Sequence, residues 1–181
     1  MTPARGERPS EVSFRSMAKE FAPRLYRHAY RSLGDSHLAA EAVQETLVRV
    51  HRSLPDFRGE CALGTWIYRI AVNTITSYRR RRHNHSISFV GTGDIQYIID
   101  EEGDLEEAFD RKLECERLAR CIAKLSPRES AAITLFYMDG YGYKEIASIL
   151  ETSVDCVGLL LHRGREHLRV LLAGTRERGE I

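Results

Sequence analysis

Apolar residues recur at spacings of three and four along much of this chain. From Glu11 to Leu33 the series Phe14, Met17, Phe21, Leu25 and Ala29 falls on one side of a helical repeat, which predicts an amphipathic helix ended by Gly34. Asp35 and Ser36 offer N-cap oxygens for a second helix, whose stripe of Leu38, Val43, Leu47 and Val50 continues until Pro55 interrupts it. The segment Leu54–Gly64 (LPDFRGECALG), with one proline and two glycines, predicts a loop. A third helix begins near Thr65, carries Trp66, Ile67, Ile70, Ala71 and Ile75, and leads into Arg79, Arg80, Arg81 and Arg82. A first unit of three or four helices therefore ends near Arg82.

The stretch His83–Gly103 has no sustained period and contains Gly91, Gly93 and Gly103, so it reads as a linker in spite of the short apolar run Ile95–Ile99. A second unit starts near Leu105, with Leu113, Leu118, Ile122 and Leu125 on one helix. Ser126-Pro127-Arg128-Glu129 then forms a capping box, and the helix it opens runs through Ile133 and Phe136 to Gly140. A short helix, Lys144–Leu150, a turn at Glu151-Thr152-Ser153 and a longer helix from Val154 to about Leu172 follow. With small Ala147 at the approach and Ile146, Leu150 and Val157 inward, this pair predicts a helix-turn-helix. The expected fold is all-α, with two small helical domains joined by a flexible acidic linker.

Composition is that of a folded soluble protein: 43% of the 181 residues are hydrophobic and 29% charged. No apolar stretch approaches the ~18 to 20 residues of a membrane span, and Met1–Ser10 leads into no signal core, so no membrane insertion and a cytoplasmic location are expected. Cys61, Cys115, Cys121 and Cys156 are scattered, as reduced thiols would be. His83 and His85 form a lone HxH pair without the paired ligands of a zinc loop, and neither a metal nor a cofactor is expected. The net charge of +1 hides two opposed blocks: the arginine run, and an acidic one of Asp100, Glu101, Glu102, Asp104, Glu106 and Glu107.

Two constellations bear on chemistry. The second helix of a helix-turn-helix enters the major groove, so Val154–Arg165 are candidate readers of DNA; two helices simply packed in an all-helical core are the plainer account. Trp66, Tyr68, Arg69, Asn73, Thr76 and Tyr78 precede the arginine run on one helix, a combination that can neutralise phosphates and stack unpaired bases. The competing account puts Trp66 in the core, leaves Tyr68 half-buried and makes the arginines a solvated helix end at the negative pole of the dipole. No phosphate loop, metal cluster or activated nucleophile is present, so an enzyme is not expected; Ser126 and Cys61 read as a helix cap and a loop residue.

The order of segments resembles the extracytoplasmic-function (ECF) sigma factors of bacterial RNA polymerase. Ala40–Arg82, with VQET, FRG and TWIYRIAVN, is similar to sigma region 2, and Leu125–Leu172 to region 4. The resemblance implies region 2 over 10–82 (core polymerase binding, −10 recognition and melting), a linker over 83–104 and region 4 over 105–174 (−35 recognition). It places core polymerase docking, on the clamp helices of the largest subunit, at Glu41, Gln44 and Glu45, with Glu41 where many members have aspartate. Asp56, Phe57, Arg58, Gly59, Glu60 and Cys61 correspond to the loop that captures a base flipped from the −10 element. Trp66, Arg69, Asn73, Ser77, Arg79 and Arg80 correspond to the helix along that DNA. A pocket that binds only the flipped base turns binding energy into melting, without ATP. Lys144, Ser153, Asp155, Cys156, His162, Arg163 and Arg165 fall on the −35 reader. Implied partners are promoter DNA, the clamp helices, the flap of the second-largest subunit and an anti-sigma factor. The acidic linker corresponds to the connector that runs near the RNA exit path.

The chain departs from the family pattern after Val157, where Gly158, Leu159 and Leu160 stand in place of basic or hydroxylated groups. This leaves −35 contacts open, since leucine reads little in the groove beyond thymine methyls; an exposed Leu159-Leu160 pair would equally suit a protein partner. Two other readings stay open at this stage: an autonomous dimeric helix-turn-helix regulator, and a promoter-silent decoy that titrates polymerase or an anti-sigma factor.

Overall fold

The computed structural model describes residues 14–85 and 105–177, with side chains over 14–81 and 113–174. Seven α-helices are present among them: α1 (Phe14–Leu33), α2 (Ser36–Ser53), α3 (Leu63–His85), α4 (Leu105–Lys124), α5 (Pro127–Tyr137), α6 (Tyr143–Ile149) and α7 (Val154–Glu177). A 3-10 turn, Leu54–Asp56, follows α2, and no strand occurs in the described residues. Residues 11–13 and the run Ile95–Ile99 lie outside the described residues, as does all of the linker beyond His85 up to Asp104.

The helix boundaries follow local chemistry. The Asp35 carboxylate accepts the Leu38 amide at 3.0 Å and starts α2. The Ser126 hydroxyl accepts the Glu129 amide while the Glu129 carboxylate accepts the Ser126 amide, a complete capping box for α5. The Ser153 hydroxyl accepts the Cys156 amide at 3.2 Å at the head of α7. Two limits differ from the sequence reading. α3 starts at Leu63 and continues to His85, because Leu63 and Thr65 are drawn into the core by burial rather than left as loop and cap. Leu113, expected on the apolar face of α4, is 37% exposed at the edge of that stripe.

Met17, Phe21, Leu25 and Leu33 of α1, Ala42, Val43 and Val50 of α2, and Ile67, Ala71 and Ile75 of α3 make the core of the first lobe. Two buried hydroxyls within it are satisfied locally: Thr46 donates to the Ala42 carbonyl and Thr74 to that of Ile70. In the second lobe α7 lies across α4, α5 and α6, closing on Ile133, Leu135, Ile146, Ile149, Val157 and Leu161. Gly164 sets the α5–α7 distance: a Cβ there would stand 2.8 Å from Ile133 Cγ1, well inside contact distance. The lobes are not separate bodies. α1 packs on α4 and α5, α3 packs on α6, and one apolar cluster runs from Met17 through Leu161.

Candidate nucleic-acid interface

The buried stripe of α2 (Ala39, Ala42, Val43, Thr46, Val50) leaves the opposite side to solvent, and Glu41, Gln44 and Glu45 stand there one helical turn apart. Glu41 pairs with His37 at 3.3 Å on the exposed surface. Glu45 is bonded by the Arg49 guanidinium, and hydrogen bonding to Arg49 and Tyr78 holds its carboxyl below the usual range. The strip therefore carries one fixed and one freer negative charge, a surface that suits a basic partner.

The end of the 3-10 turn and the loop after it project Asp56, Arg58 and Glu60 into solvent, with Gly59 and Cys61 half-buried. Gly59 has φ +72°, a left-handed conformation that costs an L-residue with a side chain about 1 to 2 kcal/mol, so FRG needs its glycine. Phe57 packs against Trp66 with ring centroids 4.9 Å apart, which fixes the loop to the first turns of α3. Both rings are only partly buried, so one flank stays available to a stacking base. Further along α3, Asn73 and Arg80 are exposed and the Ser77 hydroxyl donates to the Asn73 carbonyl.

Three residues of the anticipated nucleic-acid face of α3 are instead turned toward the second lobe. Tyr68, expected to be exposed or half-buried, is fully buried, its ring edge-on to both His28 and Tyr141. Burial pushes its phenol far up, and Tyr141 up to about 12. Arg69 donates from Nε to the Ser148 carbonyl at 3.2 Å and from Nη2 to the Ser148 hydroxyl at 3.1 Å, and approaches Glu151 at 3.8 Å. Arg79 donates to the carbonyls of Ala123, at 2.8 Å, and Leu125 at the end of α4. Tyr68 is held by burial and by these ring contacts, whereas the two arginines share another reason. The C-terminal end of α4, the end of α6 and its turn present bare carbonyls, and arginines on the facing helix satisfy them.

His28 and Asp139 complete this seam: Nδ1 lies 2.6 Å from Oδ2, with the side chains 1% and 5% exposed. Burial pulls the Arg31 guanidinium down, against the nearby charge of Asp139. Ser32 and Ser130 bring buried hydroxyls without a hydrogen-bond partner among the described residues to a small cavity that His28 and Arg79 also line. None of His28, Asp139, Tyr141, Ser148 or Glu151 stood out in the sequence. One signal was available: His28 sits in the apolar stripe of α1 between Leu25 and Ala29, and a polar group in such a stripe requires a buried partner.

α6 and α7 form the helix-turn-helix, with Ile146, Ala147 and Val157 buried between them and Glu151 at φ +50° in the turn. Lys144, Ser153, Asp155, His162, Arg163 and Arg165 are exposed and Cys156 is half-buried. Arg165 reaches back to the Tyr137 hydroxyl at 3.4 Å. The presumed Leu159-Leu160 pair is divided by the helical repeat: Leu159 is 47% exposed, whereas Leu160 packs against the core beside buried Leu161. Among the described residues no three His, Cys, Asp or Glu side chains are grouped to hold a metal, and no helix is long and apolar enough to cross a membrane. The side chains of His83 and His85 lie outside the described residues.

Comparison with known proteins agrees with this layout. The sigma-70 region 2 model matches residues 17–85 and the sigma-70 region 4 model residues 115–168. The ECF sigma factor SigE of Mycolicibacterium smegmatis is 31% identical over 94% of this chain, which spans 65% of that protein's length. SigW of Bacillus subtilis is 31% identical, with 87% of each chain covered. Among solved structures, sigma factor RpoE of Bartonella quintana, in complex with the anti-sigma factor NepR, shares the fold at TM-score 0.68 and 22% identity, covering 88% of this chain and 96% of that one. CnrH, in complex with the cytosolic domain of CnrY, does so at TM-score 0.64 and 23% identity, with 89% and 88% covered. With both halves of the sigma pattern on one chain, the protein belongs to the ECF sigma factors of RNA polymerase, which direct promoter-specific initiation and are not enzymes.

Proposed function

We propose that this chain docks on the clamp helices of core RNA polymerase through Glu41, Gln44 and Glu45. In this reading it recognises the −10 element with the 56–61 loop and α3, and the −35 element with α7, against the polymerase flap. The observation that carries the reading is the exposed strip on α2 beside the loop pinned by the Phe57–Trp66 contact: docking group and base-capture loop share one lobe. Such a protein works in the cytoplasm, with the polymerase, and an anti-sigma factor of the kind bound to RpoE in its complex is the expected antagonist. We also take 10–82, 83–104 and 105–174 as its functional divisions.

The seam adds a step. Elements named −10 and −35 lie about 25 base pairs apart, or about 85 Å of B-form DNA. With Arg69 hydrogen-bonded to Ser148, α3 and α6 are in direct contact, so this arrangement cannot serve both elements at once. The lobes must part before Arg69 and Arg79 meet phosphates, and the free chain should bind duplex promoters poorly. Run-off transcription from fragmented genomic DNA, with core polymerase of the same organism and with or without this protein, tests the reading. Discrete new transcripts sharing two spaced upstream motifs support it; no transcripts in spite of demonstrated core binding refute it.

A further inference from the structure

The outward strip of α7 differs in chemistry from the rest of that helix. Val157, Leu161 and Gly164 turn inward, and Asp155, Leu159, His162 and Glu166 turn outward at spacings of four, three and four. Leu159, 47% exposed, lies in the N-terminal part of the second helix of a helix-turn-helix, the part that meets base edges. Val154, 43% exposed, stands at the head of the same helix, five residues before it. Exposed Lys144 on α6 and Arg163, one turn after Leu159 on α7, bring positive charge to this helix pair, which a groove walled by phosphates requires.

Gly158 is the second observation. It lies inside α7, where glycine is unfavourable, yet the fold does not ask for it. A Cβ there would meet only the Tyr143 ring, at 3.7 Å, an ordinary contact. Gly164 is the contrast within the same helix, since there a Cβ would collide with Ile133. A glycine that packing does not need, beside an exposed leucine on the reading face, suits a helix backbone that something approaches closely.

We infer that Gly158 and Leu159 form an apolar reading patch for thymine in the −35 element, with the bare backbone of Gly158 admitting the base edge and Leu159 covering its C5-methyl group. The inference rests on the sigma reading of α7. Apolar contact is how a side chain distinguishes thymine in the major groove, and it leaves a preference at one or two positions instead of a polar code.

The test uses holoenzyme assembled from core polymerase and the full chain, on a promoter library randomised across the −35 element. Thymine is expected to be enriched at a fixed position there. Replacing that thymidine by deoxyuridine removes only the methyl and should weaken binding about fourfold, the worth of one buried carbon. In Leu159→Ala the same replacement should change binding less than about twofold. Gly158→Ala separates fold from function: it should raise Tm by about 1 to 3 °C while weakening −35 selection. No thymine enrichment, deoxyuridine tolerated by the wild type, or a Gly158→Ala protein with unaltered selection overturns the inference and returns Leu159 to a protein-facing role. Failure of the bound holoenzyme to initiate at any promoter overturns the sigma reading itself, which the −10-dependent transcripts report independently.

Discussion

Breaking the His28–Asp139 contact should destabilise the whole molecule, because this pair is buried where the two lobes meet. The atoms stand 2.6 Å apart with side chains 1% and 5% exposed, so neither partner gains water in exchange when the other is removed. Truncating one member of such a pair costs about 3 kcal/mol, because a buried polar group is left without its partner. For a chain of this length that corresponds to a fall in Tm of about 6 to 12 °C. His28→Ala, Asp139→Ala and the double variant, measured by urea denaturation followed by circular dichroism, form a double-mutant cycle. The coupling energy should be about 1.5 to 3 kcal/mol, since the second truncation no longer strands a buried polar group. Small-angle scattering of Asp139→Ala should also show a larger radius of gyration as the seam loosens. Additive single effects, with coupling under about 0.5 kcal/mol, and an unchanged radius would refute the argument that this pair joins the lobes.

Gly164→Ala should lower stability by about 1 to 2 kcal/mol in the same assay, because the new methyl would sit 2.8 Å from Ile133 and the overpacking outweighs the gain in helix propensity. Glu129 makes stability pH-dependent. Burial opposes its charge, but bonding to the Ser126 hydroxyl and amide and to His167 outweighs this and holds its carboxyl below the usual carboxylate range. A depressed folded value means stability present above about pH 4.5 and lost as pH falls through the folded value. The Tm advantage of wild type over Glu129→Gln should therefore be seen at pH 7 and shrink as the pH is lowered into the acid range; a constant gap would contradict it. Ser126→Ala should cost about 1 kcal/mol, measured by thermal unfolding, because it opens the α5 capping box.

The sequence by itself determined the helices and their order, because these are set by interactions within a few residues. The stripe of Phe14, Met17, Phe21 and Leu25, the Asp35 and Ser126 caps and the tight turn before Val154 need no distant partner, and α2 and α5 begin where they indicate. The FRG loop was legible for the same reason, its Gly59 being required by local backbone conformation. Only the tertiary structure decided which way the polar residues of α3 point. Tyr68, Arg69 and Asn73 are almost indistinguishable as nucleic-acid ligands in the sequence, yet Tyr68 is buried against His28, Arg69 is held by Ser148 and Asn73 remains in solvent. Arg69 and its Ser148 partner are 79 residues apart along the chain, and no local pattern announces a carbonyl left bare at the end of another helix. The division of Leu159 from Leu160 has the same origin: successive residues on a helix diverge by about 100°, and the packing of α5 and α6 against α7 decides which of the two meets water.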